Sequence, residues 1–179
     1  MSTELQYAAA IAPCREIFEK KTLDYGTSWR VYRIITVADQ IYIKARRIRN
    51  IQNTGLQKIN DDIRGEFIGM YNYAIIGLIQ LEINNDEVEE LAPETAMKFY
   101  EKYSNEAFEL MLKKNHDYGE AWRDMSQESF TDLILSKLLR IKQIIANSGK
   151  TVASEGIDAN LYDIMNYSVF ALILETEIK

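Results

Sequence analysis

The sequence predicts an all-α fold built from two tandem three-helix repeats that pack as a pseudo-twofold helical bundle. Three observations carry that expectation: apolar residues recur at helical spacing, no strand-like alternation persists anywhere, and the chain contains a second version of itself. Residues 16–51 (EIFEKKTLDYGTSWRVYRIITVADQIYIKARRIRNI) match residues 109–144 (ELMLKKNHDYGEAWRDMSQESFTDLILSKLLRIKQI) at fourteen of 36 positions without a gap. Chance would give about two or three. The identities include Lys21/Lys114, Asp24/Asp117, Tyr25/Tyr118, Gly26/Gly119, Trp29/Trp122, Arg30/Arg123, Asp39/Asp132, Lys44/Lys137 and Arg47/Arg140. One extra residue further on, 63–79 aligns with 157–173 through Ile63/Ile157, Asn72/Asn166, Tyr73/Tyr167, Leu78/Leu172 and Ile79/Ile173.

Each copy reads as three helices. Copy one predicts a helix over about 13–22, where Pro13 suits a first turn, then the DYGTSWR loop, a helix over about 36–53 and a longer one over about 58–82. Copy two repeats the plan: about 93–115 opening at Pro93, the DYGEAWR loop, about 129–147 and about 154–177. The domain reading follows: repeat one, a degenerate copy, over 1–82; an acidic linker over 83–92, centred on INNDEVEE; and repeat two, the expected functional copy, over 93–179. In the last helix Ile157, Leu161, Ile164, Met165, Ser168, Ala171 and Leu172 share one face at about 100° per residue. A three-helix unit of this size is marginal alone. The copies are therefore expected to share one core, as two subunits share an interface in a symmetric dimer.

Composition excludes several classes. Hydrophobic content of 47% with 8 Gly and 2 Pro rules out collagen-like and disordered chains. The lone Cys14 cannot form an internal disulfide, and no Cys/His pattern has zinc-ligand spacing. No signal-peptide pattern opens the sequence and no apolar run is long enough for a bilayer, so a cytoplasmic location and no membrane association are expected. The net charge of −6 argues against direct DNA binding. It leaves room for a small phosphorylated ligand. Copy one is the more basic, holding seven of the nine arginines.

Chemistry concentrates on three stretches. Glu155, Asp158, Tyr162, Asp163 and Asn166 fit within an arc of roughly 140° on the last helix, opposite its apolar stripe. Hard oxygen ligands in such an arc suit Mg²⁺, which keeps waters and takes substrate phosphates. A solvated acidic face explains the same pattern. Copy one has Asp61, Arg64 and Gly69 at the positions of Glu155, Asp158 and Asp163, and Glu66 faces Asn160. Copy one thus reads as a scaffold that has lost its ligands. On the preceding helix Asp132, Lys137 and Arg140 lie along one side, with Asp39, Lys44 and Arg47 in register in copy one. A cation pair three residues apart shares a face and suits a polyphosphate; internal ion pairing explains it equally well. In the loop DYGxxWR, Gly26 and Gly119 suit a positive φ at a helix end. Tyr118 and Trp122 suit contact with a base, with Arg123 near a phosphate, although the same aromatic residues would also anchor a turn. His116 has Leu23 as its counterpart and reads as a surface residue.

The combination DYGxxWR, then D(x4)KxxRI, then E(x7)DxxNY resembles the nucleotide-modification-associated domain family, the first of its series, over about 13–82 and 105–175, with copy two the closer match. That helical pattern is similar to the all-α nucleoside triphosphate pyrophosphohydrolases of MazG and dimeric-dUTPase type. The resemblance implies an ExxE helix and an ExxD helix around Mg²⁺, cutting between the α and β phosphates. Only Asp163 matches the ExxD pattern in its expected frame (Asn160-Leu161-Tyr162-Asp163), while Glu155-Gly156-Ile157-Asp158 matches literally. ExxE appears literally only at Glu106-Ala107-Phe108-Glu109.

The expected function is a Mg²⁺-dependent pyrophosphohydrolase acting on a nucleoside, modified-nucleotide or pterin-type triphosphate. Glu155 and Asp163 would be catalytic, and Glu155, Asp158, Asp163 and Asp132 would hold the metal. Lys137, Arg140, Lys44, Arg47 and Arg123 would bind phosphate, and Tyr118 and Trp122 would meet the base. The alternative is a non-catalytic helical module that binds a nucleotide or a protein. A homodimer is an admissible assembly for either.

Overall fold

In the computed structural model, which describes residues 1–55, 62–83, 90–152 and 155–177, six helices and two single 3₁₀ turns follow the duplication closely. Copy one comprises α1 (Thr3–Tyr25), a 3₁₀ turn (Ser28–Val31), α2 (Ile34–Thr54) and α3 (Ile63–Ile83). Copy two comprises α4 (Pro93–Tyr118), a 3₁₀ turn (Ala121–Asp124), α5 (Gln127–Ala146) and α6 (Ile157–Glu177). No strand occurs among the described residues. The expected linker residues 84–89, the expected helical start at 58–61 and residue 154 lie outside the described residues.

One boundary differs in kind. The first helix starts ten residues before Pro13, which stands in its interior. Proline removes an interior N–H and crowds the preceding turn. A stripe at helical spacing, Tyr7, Ala10, Cys14, Phe18 and Thr22, is buried along the whole length and holds the helix together across it. Ser2 caps the start, its hydroxyl accepting from the Leu5 N–H at 3.4 Å. The two DYG glycines behave as the sequence predicts: Gly26 has φ 70° and Gly119 φ 59°, each donating its N–H back into the preceding helix.

Helices α2, α3, α5 and α6 form a central four-helix layer in which α2 meets α3 and α5, and α6 meets α3 and α5. Helices α1 and α4 touch each other and each also packs on α3 and α6. Exchanging the copies maps this pattern onto itself, as the pseudo-twofold expectation requires. The centre is α3 against α6, and from Phe67 to Gln80 and from Leu161 to Leu174 almost every residue is buried. Neither copy has a core of its own.

Two duplicated polar ties cross the centre. The Tyr7 hydroxyl donates to Asn166 Oδ1 at 2.8 Å while Asn166 Nδ2 donates to the Ala107 carbonyl at 3.2 Å. In the exchanged copy the Tyr100 hydroxyl donates to Asn72 Oδ1 at 2.9 Å and Asn72 Nδ2 donates to the Cys14 carbonyl at 3.0 Å. The NY motif therefore supplies an amide that links the copies, and Asn166 faces inward rather than toward a ligand. At the periphery, Asp39 meets Lys142 at 2.8 Å and Asp132 meets Arg49 at 3.7 Å, again an exchanged pair.

Candidate functional site

Along α6 the sequence places Asp163 two turns before Phe170, and both point back toward the DYGEAWR turn. Asp163 is buried, its side chain only 8% exposed, and each carboxylate oxygen faces an ammonium: Lys114 at 2.6 Å and Lys137 at 2.8 Å. Burial pulls the Lys114 ammonium down. The hydrogen bond and charge of Asp163 more than offset that, with Tyr167 and Glu155 adding to them, so its pKa stands above the ordinary value. Phe170 lies parallel to Trp122, with centroids 4.3 Å apart at 6°. The other face of Trp122 carries Arg123, 4.4 Å from the ring. Copy two thus closes on itself, with its aromatic ring stacked and its two lysines bridged by one carboxylate.

The equivalent place in copy one is open. A cavity of about 450 Å³ is lined by Lys21, Lys44, Trp29, Tyr32, Gly69 and Tyr73. Lys21 and Lys44 are the counterparts of Lys114 and Lys137, Trp29 of Trp122, and Gly69 of Asp163. Ile76, also lining the cavity, is the counterpart of Phe170, and Gly65 of Ala159. Wall positions Gly65, Gly69 and Ile76 are thus smaller in copy one, while Tyr32 is larger than its counterpart Met125. The Lys44 side chain lies over Gly69, and a Cβ added there would be 2.9 Å from Lys44 Cε and 3.1 Å from its Nζ, the side on which Asp163 meets Lys137. Glu66 takes Lys44 at 3.1 Å and Arg47 at 2.5 Å, while Lys21 makes no ion pair with a described residue. Tyr73 sits 6.0 Å beneath the Lys44 ammonium, and burial raises its pKa, helped by Tyr32 and Tyr25.

The loop that carries Trp29 is fixed from below. The two N–H groups of Gln80 Nε2 are shared among the carbonyls of Trp29 (3.2 Å), Arg30 (2.9 Å) and Tyr32 (2.7 Å), and Gln80 Oε1 accepts from the Arg30 guanidinium. One glutamine thus holds a whole turn in place, and the rim aromatic residues are pre-positioned rather than recruited.

The sequence-predicted residues are dispersed. Lys137 and Asp163 do meet, as do Lys44 and Arg47 through Glu66. Asp132 is 61% exposed at its side chain and occupied by Arg49. Glu155 and Asp158 are exposed at the start of α6, Asp158 lining a different cavity with Glu82, Tyr103 and Tyr162. Arg140 lines a third, with Lys150 and Asn147. Arg123 is engaged by Glu120 (2.8 Å), Glu177 (3.2 Å), Thr3 (2.6 Å) and Gln6 (2.7 Å). Tyr118 is solvent-exposed, Trp122 is buried against Phe170, and His116 is on the surface as expected. Among the described residues, no three His, Cys, Asp or Glu side chains form a group that could hold a metal ion. The donors do not fit a Mg²⁺ centre: Asp163 has both oxygens committed to ammonium groups, and the other three acids stand apart from it. No helix among the described residues is long and apolar enough to cross a membrane.

Sequence reasoning missed the cavity because Gly69 read as a lost ligand. The available signal was the matched pair Lys21 and Lys44, retained beside a deleted carboxylate.

No curated protein and no solved structure matches the chain. A family model does, twice: residues 21–81 and again residues 114–174, the two copies that build the open and the closed site. The chain belongs to the family described as nucleotide modification associated domain 1, as two tandem members of it.

Proposed function

We propose that the protein is a non-catalytic helical module that binds a small phosphorylated, ring-bearing ligand, a nucleotide, in the copy-one cavity. The observation that supports this most is the placement of Lys21 and Lys44 around one cavity with Trp29, Tyr32 and Tyr73. The volume is within the range of small-molecule pockets, roughly 300–1,000 Å³, and its lining mixes aromatic walls with a few charges, as such pockets do. Two ammonium groups suit a phosphate as point charges, and the aromatic residues offer faces to a base. The family's association with nucleotide modification agrees with a ligand of that class.

Calorimetric titration with adenosine and thymidine 5′-monophosphates tests it. Saturable binding that Lys21→Met and Lys44→Met each weaken at least tenfold is the expected result; no binding of any nucleotide by the wild type would overturn the reading. The pyrophosphohydrolase alternative has its own arm. Incubation of nucleoside triphosphates with Mg²⁺ should release no pyrophosphate, and release that Asp163→Asn abolishes would favour the enzyme instead.

A further inference from the structure

We infer that Asp163 and Phe170 of copy two occupy the places that the anion and the ring of the ligand take in copy one, so that the ligand is an aromatic ring joined to a single anionic group, a nucleoside monophosphate. The inference rests on the reading above that copy one binds the ligand. It adds which chemical groups go where and how many charges the site takes.

One chain carries two versions of the same site. Helices α3 and α6 begin and end at equivalent residues, as do the two 3₁₀ turns, so the walls correspond position by position. In copy two the lysine pair is bridged by one carboxylate, and the tryptophan carries one stacked ring. In copy one the lysines and the tryptophan are retained, while the carboxylate is replaced by Gly69 and the ring by Ile76. Removing both occupants while keeping their partners leaves a cavity in which Lys21 has no ion pair with a described residue, Lys44 is held by Glu66, and the buried Trp29 has Phe18, tilted at 6.3 Å, in place of a stacked ring. An anion beside Lys21 and a flat ring near Trp29 would complete it. The two occupants of copy two are seven residues apart on one helix, about 10 Å along its axis. A base and a phosphate separated by a pentose present the same two groups on one small molecule. Since one carboxylate meets both lysines in copy two, one phosphate suffices for Lys21 and Lys44 in copy one, with Lys44 shared between it and Glu66; the residues lining the cavity include no other cation to receive further phosphates.

The test exchanges the occupants. In Gly69→Asp the new carboxylate faces the movable end of Lys44, so the variant is expected to fold, and nucleoside monophosphate binding should fall at least tenfold. Ile76→Phe should do the same through the ring position, and it provides the readout if Gly69→Asp does not melt cooperatively. The double variant Asp163→Gly/Phe170→Ile should raise the stoichiometry from one nucleotide per chain toward two. In the wild type the monophosphate should bind within threefold of the triphosphate, and both at least tenfold tighter than the nucleoside or inorganic phosphate alone. Undiminished binding by folded Gly69→Asp and Ile76→Phe would overturn the inference while leaving a nucleotide site standing, provided Lys21→Met still weakens it. A triphosphate preference above tenfold would overturn the single-anion assignment. Absence of any nucleotide binding by the wild type would remove the functional reading and this inference with it.

Discussion

Asp163 and Gly69 stand at one structural position and produce opposite results. In copy two a buried carboxylate between two ammonium groups gives a closed site, and in copy one its absence gives a cavity. Breaking a buried pair by removing one partner costs about 3–5 kcal/mol, since the other charges stay behind uncompensated. Lys114 is half-exposed here and can turn to water, so Asp163→Asn is expected to cost less than that, about 2–3 kcal/mol, read as a lower denaturant midpoint with an unchanged slope. Asn72 and Asn166 carry a different load. Each is buried, and each joins a tyrosine of the other copy to a carbonyl of its own. Replacing either by Ala strands a buried hydroxyl and a carbonyl, and a loss of about 1–3 kcal/mol is expected in equilibrium unfolding. The exposed exchanged pairs offer the contrast: Asp132→Asn should change stability by less than about 0.5 kcal/mol, because ion pairs in water contribute little.

At the scale of the element, periodicity and the duplication predict all six helices, and most ends fall within a few residues of the expectation. The exception is physically specific. Pro13 reads as a helix start because proline is tolerated in a first turn, yet the apolar stripe from Tyr7 to Thr22 continues through it, and burial of that stripe overrides the local cost. Pro13→Ala should therefore raise the melting temperature, by an amount worth about 1–3 kcal/mol; a fall would mean that the ring makes a contact that outweighs its lost hydrogen bond. The site was less legible for a reason of the same kind. Three acids on one arc of α6 are countable in the sequence, but whether they converge depends on which of them α4 and α5 approach, and only Asp163 is approached. Helix register gives the face of a residue and not the neighbour that meets it. The matched DYGxxWR loops, whose Trp residues suit a base contact and a turn anchor alike, prove to be anchored in each copy by a different partner, Gln80 in one and Phe170 in the other.

For the whole molecule the consequence of the duplication is a shared core with titratable groups sealed in it. Burial pushes the Cys14 thiol up from its ordinary value of 9.0 to about 12, and raises the pKa values of Tyr7, Tyr71 and Tyr100. A group whose pKa is raised on folding stabilises the fold below its unfolded value and loses that contribution as pH rises toward the folded one. Between pH 9 and 12 the unfolded chain gives up the Cys14 proton that the folded chain keeps. The predicted loss is about 1.4 kcal/mol by pH 10, before the tyrosines contribute. Melting curves at pH 8 and pH 10 check this: Cys14→Ala should flatten the difference, and rapid native-state labelling of Cys14 by a thiol reagent at pH 8 would contradict its burial.

The central claim is that the two copies have divided their roles, one sealed and one open. The chain has two tryptophans, one in each. Two-dimensional NMR of the indole N–H resonances, assigned with Trp122→Phe, reports on both during titration with a nucleoside 5′-monophosphate. The account predicts a saturable shift of Trp29 with Trp122 unmoved. A shift of Trp122 with Trp29 unmoved, or of neither at saturating nucleotide, would contradict it.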